Sequence, residues 1–233
     1  MNPGCRVLAE RSSEQLVMAC LADLDFVVSD LAEAFASYPL IRWILRDDGN
    51  DRTALLKLFE VVVRQIAYRS GDIYMPAAGG AAAVWVRSEN LDCVSSLDKV
   101  RMIPTLAAAT GLRRLPRLAA TEWALERHHP KRLPHVYLYI LGVHPRLQGS
   151  GIGSRLLRAG LDQIDAEGRA AFLETSTEHN VLYYRHFGFE TMERYEIGPG
   201  APPVWSMWRP CRGAREPGNG SSRESYGCCQ KTN

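Results

Sequence analysis

Glycine spacing in the stretch HPRLQGSGIGSRLL, residues 144–157, constrains the fold of this chain more than any other feature. Gly149, Gly151 and Gly153 occupy alternate positions directly before a run of good helix formers. The segment before them, HVYLYILGV, is rich in β-branched and aromatic residues, and a second apolar segment, AAFLETS, follows the helix formers. This order predicts a strand–loop–helix–strand unit with its helix over about residues 152–167.

The start of that helix is a candidate binding site for an anion. The first backbone N–H groups of a helix have no partner within the helix, and the helix dipole favours negative charge beside them. Glycine has no Cβ, so an oxyanion can approach these N–H groups closely. A phosphate cradle is the functional interpretation, and a tight strand-to-helix turn is the structural alternative.

Two common phosphate-binding loops fit this spacing poorly. A Walker loop would place Lys and then Ser or Thr after its last glycine, whereas Gly153 is followed by Ser154 and Arg155. A dinucleotide-binding loop gains support from Glu174, which lies about 20 residues past the loop, where a ribose-binding acid would be expected. However, the spacing is G-x-G-x-G rather than G-x-G-x-x-G, and the strands of a second mononucleotide-binding half are missing.

Composition and charge argue against several classes of protein. The chain has 233 residues, of which 46% are hydrophobic and 23% charged, as in an ordinary globular protein. A formal net charge of +2 gives no electrostatic basis for nucleic acid or an anionic membrane as a partner. No apolar run approaches a membrane span and the N-terminal sequence has no signal core, so a cytoplasmic location is expected. The six cysteines form no C-x-x-C pair and have no nearby histidine at metal-ligand spacing, so we expect no metal site.

The rest of the chain is predicted to form short helices and strands. LVMACL is a candidate strand, and ADLDFVVSDLAEAFASYP is a helix that Pro39 is expected to end. RTALLKLFEVVVRQIAYRSG predicts a second helix ending at Gly71, and DIYM and AAAVWVRS predict a hairpin around PAAGG. Residues 96–129 predict two or three helices, interrupted near Gly111 and Pro116. HNVLYYRHF predicts a short helix, and FETMERYEI and PVWSMWR predict a closing strand pair.

These segments together resemble the GCN5-related N-acetyltransferase (GNAT) superfamily, over roughly residues 16–210. The resemblance depends on LAEAFASYP, AAAVWV, HHPKRLPHVYLYILGVHPRLQGSGIGS, AAFLETSTEHNVLYYRHFGF and WSMWRP. The loop Gln148-x-x-Gly151-x-Gly153 matches the superfamily pattern Q/R-x-x-G-x-G/A, and FLETS and N-x-x-x-Y-x-x-x-G-F follow in the expected order. Within the superfamily, the chain looks most similar to the puromycin N-acetyltransferase group.

The resemblance implies an α/β (α+β) fold with a central mixed, splayed sheet of about six or seven strands flanked by helices. It implies a GNAT domain over residues 16–210, between a flexible leader at 1–15 and a disordered tail at 211–233. Gly142 is expected to permit a bulge or splay that opens the sheet.

Acetyl-coenzyme A is the cofactor that the resemblance implies. Its pyrophosphate would lie in the glycine loop and its pantetheine arm along the strand that ends in LYILGV. The residues implied at the cofactor are Leu141, Gly142, Val143, Gln148, Gly149, Ser150, Gly151, Ile152, Gly153, Ser154 and Asn180.

Tyr184 and Glu174 are the implied catalytic residues. Tyr184 matches the superfamily tyrosine that serves the departing thiolate, and a phenol with a reference pKa of about 10 is protonated at neutral pH. Glu174 is the candidate general base for the amine, acting through a water. Core packing of Tyr184 and a structural role for Glu174 are the alternatives. Asn180 would bind the pantetheine or orient the tyrosine, or else cap its short helix; Tyr183 lies outside the motif register.

The acceptor side of the site is implied to include Tyr38, Trp85 and Tyr139. The implied activity is acetyl transfer to a primary amine of a small molecule, such as an aminonucleoside antibiotic, which would confer resistance. Transfer to a peptide or protein amine, and a non-catalytic coenzyme A-binding regulatory module, are the alternatives. We expect a monomer or homodimer that binds neither nucleic acid nor membrane.

Three histidines near the predicted strand HVYLYILGV need a separate interpretation. His128 and His129 end a predicted helix and His135 begins the strand. We expect solvated histidines at these positions rather than catalytic ones.

Overall fold

Seven strands form one mixed sheet in the order β1-β2-β3-β4-β5-β7-β6. The computed structural model describes residues 15–47, 49, 51–131 and 133–211. The strands are β1 (Leu16–Met18), β2 (Gly71–Pro76), β3 (Ala81–Arg87), β4 (His135–Val143), β5 (Ala170–Thr175), β6 (Glu190–Glu196) and β7 (Pro203–Arg209). Within these ranges only β4 and β5 run parallel, and the other neighbouring strands are antiparallel. The predicted α/β class with a central mixed sheet is confirmed.

Helices pack on both faces of the sheet. They are α1 (Leu24–Ala34), α2 (Pro39–Ile44), α3 (Asp51–Glu60), α4 (Tyr68–Ser70), α5 (Ser96–Thr110), α6 (Leu115–His128), α7 (Ile152–Ala166) and α8 (Glu178–Arg185). A π-helical segment, Val61–Ala67, joins α3 to α4, and 3-10 turns lie at Leu21–Asp23, Ser88–Asn90 and Pro145–Leu147. No helix of the described part of the chain is long and apolar enough to cross a membrane.

The predicted elements are present, with one error at Pro39. That proline was expected to end the first helix, but α1 ends at Ala34 and Pro39 starts α2. Proline fits the first helical position because its fixed φ is already helical and the N–H that it lacks would have no partner there. The predicted leader and tail, residues 1–15 and 211–233, lie outside the described residues except for Gln15 and Cys211. The domain boundaries therefore stay predictions.

Alternating residues of β3 separate two apolar layers. Ala82, Val84 and Val86 belong to a buried cluster with α1 and α3 on the first face of the sheet. Ala81, Ala83 and Trp85 belong to a second cluster with α7 on the opposite face. We call these the α1 face and the α7 face.

A bulge at Tyr139 changes which side chains of β4 point to each face of the sheet. Val84 is paired with Ile140 but the next residue, Trp85, is paired with Leu138, so Tyr139 is an extra residue on β4. An inserted residue reverses the alternation of the side chains that follow it. Accordingly Leu138 packs in the α7 layer, while Ile140 packs in the α1 layer.

The sheet splays at the same point. Pairing of β4 with β5 ends at Leu138 and Leu173, whereas pairing of β4 with β3 continues to Val143. Residues 139–143 therefore form an edge that faces β5 without being paired to it. The splayed sheet implied by the resemblance is present.

Gly142 does not produce this bulge, contrary to the expectation from the sequence. The irregular position is Tyr139, and Gly142 pairs regularly with Ala82. A Cβ on Gly142 would collide with Leu31 and would lie 3.0 Å from the ring of Phe35. Gly142 therefore allows α1 to approach β4 closely.

The three histidines are packed more closely than the sequence suggested. His135 is fully buried, and its Nε2 lies 2.9 Å from Nε2 of His129. Burial lowers the pKa of both side chains, that of His129 to about 4, so both are neutral at physiological pH. His128 stacks on Tyr195 with ring centroids 3.8 Å apart. The expectation of solvated histidines was wrong for His135, because its ring packs against those of Phe172 and Trp208.

Candidate active site

A cavity of about 180 Å³ opens where β4 and β5 separate. The diverging ends of β4 and β5 form its floor, and α2, α6 and α8 contribute side chains to its walls. The structure brings together in it six residues that the sequence assigned to the site: Tyr38, Tyr139, Leu141, Glu174, Asn180 and Tyr184.

Glu174 lies at the end of β5 and is held by two phenols. The hydroxyl of Tyr137 donates to its Oε2 at 3.0 Å, and the hydroxyl of Tyr195 donates to its Oε1. Burial raises the pKa of Glu174 to about 7, although the two hydrogen bonds act in the opposite direction. A carboxyl group with this pKa is partly ionised at neutral pH and can take up or release a proton there.

The two phenols that bind Glu174 were missed by the sequence analysis. Tyr137 shares β4 with Tyr139, and both side chains line the cavity. Tyr195 lies on β6, which β7 separates from β5, so its side chain reaches Glu174 across an intervening strand. No local sequence pattern indicates that contact.

Tyr184 projects from α8 into the same cavity and is almost completely buried. Burial raises the pKa of its phenol, so the hydroxyl stays protonated at neutral pH. Within the described parts of the chain its hydroxyl has no hydrogen-bond partner. The group is therefore a proton or hydrogen-bond donor that is available to a ligand.

Asn180 and Tyr38 connect the end of β5 to two other elements. Thr175 Oγ1 lies 3.2 Å from Nδ2 of Asn180, which donates to it, and 3.1 Å from the hydroxyl of Tyr38. The backbone N–H of Ser176 donates to the Tyr38 oxygen at 2.7 Å. The N-cap of α8 is Thr177, which excludes the alternative that Asn180 caps this helix.

Trp85 is not brought to the cavity. It lies on the α7 face of the sheet, 4% exposed, where it packs against Gly160 of α7. The cavity opens on the α1 face and through the splay, so the sheet separates Trp85 from it. The expectation that Trp85 contacts a substrate does not agree with this position.

The glycine loop is open to a ligand from outside. Gly149 and Gly151 have φ of +79° and +83°, and a Cβ on either would have no heavy atom within 4 Å. Gly151 is the N-cap of α7 and offers no side chain to the N–H groups of Ile152, Gly153 and Ser154. Free N–H groups beneath open space are the arrangement that a phosphate oxygen requires.

The glycine loop is attached to the free edge of β4. Gln148 Nε2 donates to the carbonyl oxygen of Val143 at 3.2 Å, and a Cβ on Gly153 would lie 3.1 Å from Cγ2 of Val143. Ser150 Oγ donates to the Leu147 carbonyl at 2.6 Å, which closes the turn. The anion site and the unpaired edge, which includes Leu141 and Val143, are therefore continuous.

Tyr183 occupies a different position from its neighbour Tyr184. Its hydroxyl lies 3.2 Å from Oγ of Ser154 in the first turn of α7, and its side chain is not part of the cavity wall. The choice of Tyr184 rather than Tyr183 as the cavity residue agrees with this geometry.

A titration of Glu174 tests the two hydrogen bonds. Tyr137→Phe removes one bond that lowers the pKa, so the pKa of Glu174 should rise above about 7 by about half a unit to one unit, as expected for a bond worth about 1 kcal/mol. The measurement is carboxyl ¹³C chemical shift against pH in selectively labelled protein. Tyr139→Phe is the control, because it removes a cavity phenol that does not bind Glu174. An unchanged or lower pKa in Tyr137→Phe would contradict the assignment.

Comparison with known proteins agrees with this geometry. Residues 119–191 match the family model described as acetyltransferase (GNAT) domain, a segment that runs from α6 to the start of β6. A structure from Corynebacterium glutamicum, described as histone acetyltransferase HPA2 and related acetyltransferase, is 25% identical over 86% of this chain and 97% of that chain, with a TM-score of 0.62.

More distant neighbours share the fold alone. Arylalkylamine N-acetyltransferase 2 from Aedes aegypti is 14% identical over 84% of this chain and 98% of its own, with a TM-score of 0.53. A polyamine N-acetyltransferase from Drosophila melanogaster is 15% identical over 84% and 100%, with a TM-score of 0.51. Residues 119–191 thus match the GNAT acetyltransferase family model, and this match together with the neighbour from Corynebacterium glutamicum supports an N-acetyltransferase.

Proposed function

We propose that this protein transfers an acetyl group from acetyl-coenzyme A directly to a primary amine of a small molecule. The observation that carries the proposal is that a carboxyl group with a pKa of about 7, Glu174, and an unpartnered phenol, Tyr184, line one cavity at the splay. Amine acetylation needs a group that accepts a proton and a group that donates one, and these two residues have the required protonation states.

The residues present fit acetyl-coenzyme A, which when bound supplies an activated acetyl thioester. The N–H groups at the start of α7, beneath Gly149 and Gly151, would hold the pyrophosphate. The unpaired edge at residues 139–143 would hold the amide groups of the pantetheine arm as an added strand would be held. This edge leads from the loop to the cavity, where Leu141 contributes to both.

Glu174 would accept the proton that the amine loses. An ammonium group has no lone pair, so a cationic acceptor must lose a proton before or during attack. Glu174 is partly ionised near neutral pH because its pKa is about 7, and it can accept this proton directly or through a water. Tyr137 and Tyr195 hold the carboxyl group in place while it changes charge.

Tyr184 would donate its phenolic proton to the departing sulfur. As the new N–C bond formed and the C–S bond broke, the electron pair of the C–S bond would be left on sulfur, where the Tyr184 hydroxyl would supply a proton. Burial keeps the Tyr184 phenol protonated until that charge develops. Tyr184 then recovers a proton, and Glu174 loses one to solvent, so the protein is restored.

The acceptor side fits a small amine, with a peptide amine as the second candidate. Side chains of α2 and α6 line the cavity, and its volume of about 180 Å³ favours a small molecule. The neighbour from Corynebacterium glutamicum, described as histone acetyltransferase HPA2 and related acetyltransferase, favours a protein amine. The sequence resemblance suggests a narrower substrate, an aminonucleoside such as puromycin. Of the three aromatic residues that it implies on the acceptor side, Tyr38 and Tyr139 line the cavity and Trp85 does not.

An acetylation screen tests the proposed function. Purified protein and acetyl-coenzyme A are incubated with puromycin, an aminoglycoside, a diamine and a peptide amine, and thiol release is followed. We expect at least one small amine to be acetylated by the wild type and to react far more slowly with Glu174→Gln. Thiol release with the peptide alone would favour the second candidate, and binding without any turnover would favour the regulatory module.

Gly151→Val tests the glycine loop as the pyrophosphate site. The variant places a branched side chain in the open space above the start of α7, so affinity for acetyl-coenzyme A should fall by about tenfold or more, the loss of at least one charged hydrogen bond. Isothermal titration calorimetry measures the dissociation constant. The control is Gly168→Val at the other end of α7, where φ is +65° and space is equally open. Equal affinities of the two variants for acetyl-coenzyme A would show that the glycine loop does not bind the pyrophosphate.

Tyr184→Phe tests the proton donor. The variant keeps the ring and removes only the hydroxyl, so kcat should fall by about 10²- to 10⁴-fold with little change in KM for acetyl-coenzyme A. Steady-state kinetics with the best amine from the screen provides the measurement. Tyr183→Phe is the matched control, since its hydroxyl binds Ser154 outside the cavity. A kcat in Tyr184→Phe similar to that of Tyr183→Phe would exclude Tyr184 as the donor.

A further inference from the structure

Tyr195 is buried on a strand whose other residues are exposed or partly exposed. That strand, β6, lies at one end of the sheet, and among the described residues only β7 pairs with it. Burial of the Tyr195 ring therefore requires side chains packed against one face of β6. Because the hydroxyl of Tyr195 donates to Glu174, the side chains that cover this ring also act on the proposed base.

The C-terminal half of α6 covers the Tyr195 ring. Ala124 and Leu125 pack in the same apolar cluster as Tyr195. His128, the last residue of α6, stacks on Tyr195 with ring centroids 3.8 Å apart and ring planes only 5° apart. Helix positions three and four residues apart share a face, so these three side chains of α6 form one contact surface.

A hydrogen bond fixes the orientation of the His128 ring. Nδ1 of His128 lies 2.8 Å from Oε2 of Glu193. A carboxylate has only acceptor atoms, so Nδ1–H of His128 is the donor. Glu193 and Tyr195 are alternate residues of β6, and alternate residues of a strand point to the same face. His128 therefore contacts two side chains on one face of β6, one through Nδ1–H and the other through its ring.

The next residue along the chain, His129, contacts the second phenol that binds Glu174. Its ring meets that of Tyr137 at 74°, with centroids 5.1 Å apart. Nδ1–H of His135 donates to the Leu133 carbonyl at 2.7 Å, so Nε2 of this neutral ring is an acceptor. Nε2–H of His129 donates to that acceptor at 2.9 Å. Both phenols on Glu174 thus contact a histidine at the end of α6.

We infer that His128 is a positioning residue for the proposed base, because its stack holds the Tyr195 ring where the hydroxyl reaches Glu174. The inference rests on the role of Glu174 in the proposed function. On a strand at the end of a sheet, rotation about χ1 would carry the phenol toward solvent. The ring of His128 occupies that side of Tyr195 and prevents the rotation. Without it, Glu174 would keep only the hydrogen bond from Tyr137 for part of the time.

Three groups from three elements act on the carboxyl group of Glu174. Tyr137 of β4 and Tyr195 of β6 lower its pKa through hydrogen bonds, whereas burial and the carboxyl group of Glu122 on α6 raise it. Loss of the Tyr195 bond should therefore raise the pKa above about 7. Water that entered beside a displaced ring would reduce desolvation and lower the pKa instead. The sign of the change distinguishes the two effects.

A double-mutant cycle between His128→Gln and Tyr195→Phe tests the inference. His128→Gln keeps a hydrogen-bond donor and removes the ring. Carboxyl ¹³C chemical shifts give the pKa of Glu174 in the wild type, both single variants and the double variant. Tyr195→Phe should raise this pKa by about half a unit to one unit, the loss of one hydrogen bond. His128→Gln should raise it by about 0.3 to 0.7 unit, within the range of an aromatic pair.

The background decides how His128 acts. If it acts through the phenol, His128→Gln should shift the pKa of Glu174 by less than about 0.2 unit in the Tyr195→Phe variant. A residue that affects only general packing would shift it equally in both backgrounds. An unchanged or lower pKa in His128→Gln, or an equal rise in the two backgrounds, would overturn the inference.

His128→Phe and His186→Ala complete the experiment. His128→Phe keeps a flat ring on Tyr195 and loses only the hydrogen bond to the carboxylate, so the pKa of Glu174 should stay within about 0.2 unit of the wild-type value. His186 is the matched control, because it also ends a helix, α8, but its Nδ1 donates to the Leu182 carbonyl. A rise of the same size in His128→Phe as in His128→Gln would exclude the stack as the cause.

Steady-state kinetics separates this inference from the proposed function. Glu174 acts as a base only when ionised, so a higher pKa moves the rise of kcat/KM to higher pH. In His128→Gln, kcat/KM should fall about two- to fivefold at pH 6 and change little above about pH 8.5. The titration of Glu174 needs no turnover. A pKa that depends on His128 without thiol release from any amine would reject the proposed function alone, and turnover with a pKa independent of His128 would reject the inference alone.

Discussion

The separation of β4 from β5 is the constraint on which the rest of the structure depends. Pairing of β4 with β5 ends at Leu138 and Leu173. The extra residue Tyr139 on β4 reverses the face of the sheet to which the following side chains of β4 point. Because two parallel strands part at this point, the end of β5 carries Glu174 into a cavity rather than into a packed layer. The same separation leaves residues 139–143 with an unpaired edge that leads to the glycine loop.

Burial raises the pKa of both catalytic candidates, and the same shift suits each to a different proposed role. Desolvation disfavours the charged form of each acid, so it raises the pKa of Glu174 to about 7 and raises the pKa of Tyr184 as well. For the carboxyl group this shift creates a base that changes charge near neutral pH. For the phenol it secures the protonated form. The hydrogen bonds from Tyr137 and Tyr195 prevent a larger shift at Glu174, which would leave it protonated and unable to act as a base.

Much of the fold and of the cavity follows from local patterns in the sequence. Alternation and glycine spacing predicted the strand–loop–helix–strand unit around α7, and the motif register indicated Tyr184, Asn180 and Glu174, which all line the cavity. Contacts that depend on tertiary structure could not be predicted. The side chain of Tyr195 reaches Glu174 across β7. Trp85 points to the α7 face because side chains alternate along β3. His135 is buried by aromatic residues that lie far along the chain.

The central claim, that Glu174 takes the proton of the amine, is tested most directly by the pH dependence of Glu174→Gln. The rate deficit of this variant is measured as the ratio of kcat/KM values, wild type to variant, from neutral pH up to the pKa of the free amine. Glutamine keeps the shape of the side chain but cannot accept a proton, whereas an amine that arrives neutral needs no base. The account predicts a large deficit at neutral pH that shrinks as the amine deprotonates in solution. A deficit of the same size at every pH would contradict it and make Glu174 a structural carboxyl group.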